Sequence, residues 1–96
     1  MRDLNHDFKE LCRHNRDGSY GTQADRAHIL DLVANQLHEM GVRGLRAQGF
    51  KPRHVQLLVS RWLAEKLASG TIKNRMSQLR WLAQKMAEGY AMDPKL

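Results

Sequence analysis

At 96 residues the chain is long enough for one compact domain and short for two. Its 42% apolar and 27% charged residues exclude a disordered chain, and no apolar run approaches the roughly 20 residues that cross a bilayer. A net charge of +6 and a pI near 10.0 direct attention to a polyanionic partner.

Taken in chain order, the apolar residues recur at helical spacing almost throughout, and β-branched runs of period two are absent. The start MRDLNHDFKELCRHN mixes charge with apolar residues and does not read as a secretory signal. It predicts instead a first helix over about Leu4 to Asn15, with Leu4, Phe8, Leu11 and Cys12 on one stripe, ended by Asp17-Gly18-Ser19. The second helix is expected to be capped by Thr22, with Asp25 three residues on in a capping-box-like arrangement. Its buried stripe would be Ile29, Leu30, Val33, Leu37 and Met40, with Gly41 as a left-handed cap. Residues 41–51 hold three glycines and read as a connection. Pro52 suits the first turn of a third helix, where its missing N–H costs nothing, and Val55, Leu58, Val59, Trp62, Leu63 and Leu67 give that helix a wide apolar face. Ser69-Gly70-Thr71 opens a fourth helix running to about Glu88. Ile72, Met76, Leu79, Ala83 and Met86 fall within a narrow arc, Leu82 lies at its edge, and Lys73, Asn74, Ser77, Gln78, Gln84 and Lys85 fall outside it. Residues 90–96, with Pro94, read as a frayed end or the start of a linker. The expected fold class is all-α, a compact bundle of four helices.

Charge is unevenly placed. Residues 1–41 carry five Lys/Arg and seven Asp/Glu, whereas residues 42–85 carry ten basic residues against Glu65 alone. Ordinary solvated surfaces mix signs, because like charges repel. The acids of the first two helices are assigned to surface faces. Shifting the chain by 49 residues aligns Gly21-Thr22 with Gly70-Thr71, Arg26 with Arg75, Leu30 with Leu79 and Ala34 with Ala83, so two helices start alike.

Catalysis finds little footing. The five histidines are scattered, there is no HExxH or CxxC motif, and Cys12 is the single cysteine, so neither an internal disulfide nor a multi-cysteine metal site is expected. No phosphate loop follows a strand, and no cofactor is implied. The lone thiol fits a reducing cytoplasm. Nucleic acid is better matched. Lys and Arg neutralise phosphates, and Arg, Lys, Asn and Gln on a helix read the major groove. The fourth helix supplies Lys73, Asn74, Arg75, Gln78 and Lys85, and its N-terminus supplies free amides suited to a phosphate. Ser69 and Thr71 are cap residues or backbone contacts. Trp81 points towards the polar side and is left to a neighbouring helix, to DNA sugars or to an adjoining domain.

The segment SGTIKNRMSQLRWLAQKM resembles the signature of the core-binding (N-terminal SAM-like) domain of tyrosine recombinases, the phage-type integrases, through Ser69, Thr71, Ile72, Leu79 and Arg80. KPRHVQLLVSRWLAEKLAS is similar to the preceding family helix and TQADRAHILDLVANQL to the family's first long helix, so the resemblance covers most of residues 20–89. Residues 1–19 look like an additional segment found in some proteobacterial integrases. The resemblance implies a domain that clamps double-stranded, attachment-site-like DNA together with a catalytic domain of the same full-length chain and with other recombinase protomers. It implies no membrane partner, a bacterial cytoplasmic setting, and no catalytic centre in this stretch, since neither Tyr20 nor Tyr90 stands in the nucleophile's context. By that resemblance DNA contacts would map onto Thr22, Gln23 and Arg26 in the second helix and onto Thr71, Lys73, Asn74, Arg75 and Gln78 in the fourth; the basic charge adds Arg53 and Lys85, and the start of the fourth helix adds Ser69. A helix-turn-helix regulator and a helical protein-interaction module stand as alternatives.

Overall fold

The structure, a computed structural model, describes residues 3–87. Among the described residues four α-helices, α1 (Asp3–His14), α2 (Tyr20–Glu39), α3 (Pro52–Ala64) and α4 (Ser69–Ala87), form an all-α bundle, with a 3-10 turn at Ala47–Gly49. There is no strand among the described residues, and none of the described helices is long and apolar enough to cross a membrane. The expectations for residues 88–96 lie outside the described residues.

The twenty-residue α2 is the organising element, since it touches α1, α3 and α4. Its fully shielded Leu30 and Val33, with Ile29, Ala34 and Leu37, meet Leu4, Phe8 and Leu11 of α1, Leu58 and Trp62 of α3, and Leu79 and Leu82 of α4 in one cluster. The first helix therefore belongs to the same core as the rest. Pro52 opens α3, as its fixed φ favours, and Gly41 ends α2 at φ +91°, a value that costs glycine little.

Several local expectations are corrected. The N-cap of α2 is Ser19, not Thr22: the Ser19 hydroxyl accepts from the Thr22 amide at 3.2 Å and donates to Thr22 Oγ1 at 3.0 Å. The helix thus starts at Tyr20, and the Thr22–Asp25 spacing is not its capping box. Leu63 is 62% exposed, because α3 is covered on one side only and Leu63 sits a third of a turn from Trp62. Along α4 the buried centre is Gln78, Leu79 and Leu82, while Ala83 is exposed and Ile72, Met76 and Met86 sit at the margin. A leucine outweighs an alanine in apolar area, so Leu82 turns the helix towards itself.

One acid is also inside. Asp7 is fully buried, contrary to its assignment to a surface face. Its carboxylate accepts from Arg46 Nη2 at 2.7 Å, from Arg46 Nε at 2.9 Å and from the Ala47 amide at 2.9 Å. The connection between α2 and α3 is fastened to α1 by these three bonds.

Candidate functional site

The contacts between α2 and α4 run in opposite order along the two helices. Asp17, just before α2, meets Trp81 and Lys85; Arg26 meets Gln78; Asp25 meets Asn74. The pair is therefore antiparallel. The two N-termini, alike in sequence, lie on either side of the Asp25–Asn74 contact. Asp25 and Asn74 are themselves 49 positions apart, so the helices cross near the point where the sequence echo maps one onto the other. The echo extends to the arginines: the Arg26 guanidinium lies 4.1 Å from the Trp81 ring centre and that of Arg75 lies 5.1 Å from Trp62.

The two arginines differ in what surrounds them. Arg26, expected at the DNA surface, is buried; its Nε donates to Gln78 Oε1 at 3.3 Å and its Nη1 to the Asp17 carbonyl at 2.9 Å. Gln78 is buried with it, so its placement on the outer side of α4 is corrected. The reason is mutual need: a guanidinium taken out of water requires acceptors, and Gln78 supplies one from across the interface. Arg75 is half-buried, and its Nη1 has no hydrogen-bond partner among the described residues.

Lys85, expected against phosphate, is 13% exposed at its side chain and pairs with Asp17 Oδ2 at 2.9 Å, where Trp81 Nε1 also donates at 2.9 Å. Trp81 is thus packed between Arg26, Lys85 and the turn after α1. The hydrogen bonds from Lys85 and Trp81 hold the Asp17 carboxyl below the usual aspartate range. Gln23 faces the groove between α1 and α2, its amide donating to the Gly18 carbonyl at 3.0 Å. Arg53 is exposed on α3 beside Val42, near the far end of α2 from Thr22.

What remains together is a cleft of about 350 Å³ between α2 and the start of α4, where Thr71, Asn74 and Arg75 face Asp25 and His28. Ser69, Thr71, Lys73 and Asn74 are exposed along its α4 side, and Thr22 is exposed on α2. Asp25 and His28 were not foreseen as site residues, although Asp25 could have been found by pairing it with Asn74 in the 49-residue shift.

The phage integrase N-terminal family matches the chain over residues 1–89. The chain belongs to that family. No curated protein and no solved structure matches it. In this integrase N-terminal domain the excess of cations over residues 42–85 is partly consumed by ion pairs with acids of the same chain. Arg46 pairs with Asp7, Arg61 with Glu39 and Glu65, and Lys85 with Asp17. Lys51, Arg53, Lys66, Lys73 and Arg80 are exposed. Lys73 and Arg80 are seven residues apart, hence on one stripe of α4, with exposed Ser77 between them. Arg80 joins the candidate surface through this spacing.

Proposed function

We propose that the chain binds double-stranded DNA in a sequence-specific manner as the core-binding domain of a site-specific tyrosine recombinase, acting in the integration or recombination of a mobile element. The observation that carries this reading is the exposed polar and cationic side of α4, Ser69, Thr71, Lys73, Asn74, Ser77 and Arg80, in a chain of the integrase family. A helix bearing such side chains over an apolar base fits the major groove, which is about 12 Å wide. Thr71 and the free amides of the first turn of α4 suit one backbone phosphate, Lys73 and Arg80 suit others, and Asn74 faces base edges. Thr22 serves the backbone from α2. Arg26, Gln78 and Lys85 act in this scheme from beneath, by fixing α2 against α4, and Arg75 lies at the cleft wall.

Chemistry at the DNA would come from a catalytic domain of the same full-length chain, with this stretch holding the duplex and, through neighbouring protomers, the synapse. No catalytic, metal or cofactor role is assigned to residues of this chain, and the setting is the bacterial cytoplasm.

Titration of a labelled duplex over a series of salt concentrations tests the reading. Affinity should fall with a log–log slope of about −0.9 per phosphate contacted. Lys73→Ala or Arg80→Ala should reduce the steepness of that slope by about 1 and weaken all duplexes alike. Lys85→Ala should leave the slope unchanged and lower thermal stability instead, because its charge is spent on Asp17. An affinity indifferent to salt would favour a protein partner and count against the proposal.

A further inference from the structure

The single acid at the cleft is out of place on a surface meant for a polyanion. Asp25 is exposed, stands within a turn or two of exposed Thr22 and half-buried Leu32, and faces Thr71, Asn74 and Arg75 across the cleft. A carboxylate there repels phosphate, so it weakens DNA binding unless it meets a donor on the nucleic acid. In the major groove the donors are the exocyclic amino groups, N4 of cytosine and N6 of adenine, whereas guanine and thymine present acceptors at the same height.

The contact between Asp25 and Asn74 makes this assignment sharper. An ionised carboxylate only accepts, so the Asn74 amide must turn its Nδ2 towards Asp25, where it donates to Oδ2 at 3.0 Å. That fixes the orientation of the amide and leaves its Oδ1 facing away from Asp25. Asp25 Oδ1 has no hydrogen-bond partner among the described residues. The pair therefore offers two acceptors, Asp25 Oδ1 and Asn74 Oδ1, with one N–H of the amide left over. An isolated asparagine would offer donor and acceptor equally.

Resting on the DNA-binding reading above, we infer that Asp25 is a specificity-determining residue: with Asn74 it forms an acceptor-rich reader that selects an amino-bearing base, cytosine or adenine, over a keto base, guanine or thymine, at one position of the contacted strand. Every base pair carries one amino and one keto partner in the major groove, so the reader senses which strand carries which. Its cost is phosphate repulsion, which every non-specific sequence feels. Asp25 thus lowers background affinity while raising discrimination.

The test is selection of bound duplexes from a library randomised across the site, done with the wild-type chain, Asp25→Asn and Asp25→Ala, with thermal melts of all three. The wild type should enrich amino bases at one position by about tenfold or more, the discrimination a good base contact provides. Asp25→Asn should erase or reverse that preference, since an amide also donates, and Asp25→Ala should erase it. Both variants should bind random duplex more tightly than the wild type. An amino preference that survives in both variants overturns the inference, as does a wild type that binds duplex without one. Failure of all three proteins to bind any duplex at low salt overturns the DNA-binding reading itself and is distinct from either. A melting temperature that falls in both variants with base preference intact assigns Asp25 to α2–α4 packing alone and also overturns the inference.

Discussion

Trp62→Ala is expected to destabilise the domain by about 3–5 kcal/mol, the usual cost of emptying a fully buried aromatic site. Trp62 is completely shielded at the junction of α2, α3 and α4, its Nε1 donates to Gln36 Oε1 at 2.7 Å, and the Arg75 guanidinium covers its ring. Alanine would leave a cavity, strand the buried Gln36 side-chain carbonyl and remove the ring beneath the Arg75 guanidinium. For a domain of this size each 1 kcal/mol moves the midpoint by roughly 4–8 °C, so a drop on the order of 15 °C or more is expected in a thermal melt followed by far-UV circular dichroism. Trp62→Phe keeps most of the volume and loses the hydrogen bond, so about 1–3 kcal/mol is expected for it. A midpoint for Trp62→Ala within a few degrees of wild type would show that α3 does not close the core as described.

The second large effect belongs to Asp7. Asp7→Ala is expected to cost about 2–4 kcal/mol, because it leaves the buried Ala47 amide without an acceptor and frees Arg46, which is half-exposed and recovers water. Asp7→Asn should cost less, since an amide oxygen still accepts from Ala47. Burial raises the Asp7 carboxyl, but the Arg46 hydrogen bonds, the Ala47 amide and the Arg46 charge together outweigh it, and the group ends below its ordinary value. A depressed carboxyl stabilises the fold above its unfolded value, about 3.9, and that stabilisation is lost as pH falls through the folded value. Asp17 has the same sign. His54 adds to it from higher pH. Burial first, then Arg53, lowers its pKa, while its Nδ1 accepts from the Lys51 amide at 2.8 Å. A histidine held neutral begins to cost stability below its unfolded value, about 6.5. Urea midpoints should therefore decline from about pH 6.5 downwards and more steeply below about pH 4, with the steep part blunted in Asp7→Asn. A flat profile across that range would contradict these assignments.

The helices were legible in the sequence because burial of leucine, valine and isoleucine at 3.6-residue spacing is a local signal. Pro52 and Gly41 marked ends for equally local reasons. What could not be read was the pairing of polar groups over long separations. Gln78 looks like a surface reader on a helical wheel, which counts apolar residues only, and the family resemblance maps Arg26 onto DNA, yet each is buried to satisfy the other 52 positions away. Asp7 behaves likewise with Arg46, 39 positions on. Lys85 reads as a phosphate-binding cation in the sequence because Asp17, its partner, sits in a turn that periodicity ignores. The start of α2 is ambiguous in the sequence because Ser19 and Thr22 are both competent caps; Ser19 has the extended backbone a cap requires, φ −70° and ψ 167°, and its hydroxyl holds the Thr22 amide. Of the candidate site, Lys73 and Asn74 do face outward as the wheel of α4 implies, and Thr71 is exposed beside them. Asp25 reads as part of a helix cap in the sequence, although its 49-residue offset from Asn74 is present there.

As proposed, this integrase N-terminal domain meets duplex DNA with the exposed side of α4 and the adjoining cleft. Amide chemical-shift mapping of the chain titrated with a short duplex at low salt tests it most directly. The perturbed amides should gather over residues 69–80 and around Thr22, Asp25 and His28, and added salt should reverse the changes. Perturbations confined to the groove between α1 and α2, near Cys12 and Tyr20, or to the exposed leucines Leu57 and Leu63 of α3, with residues 69–80 unmoved, would contradict it.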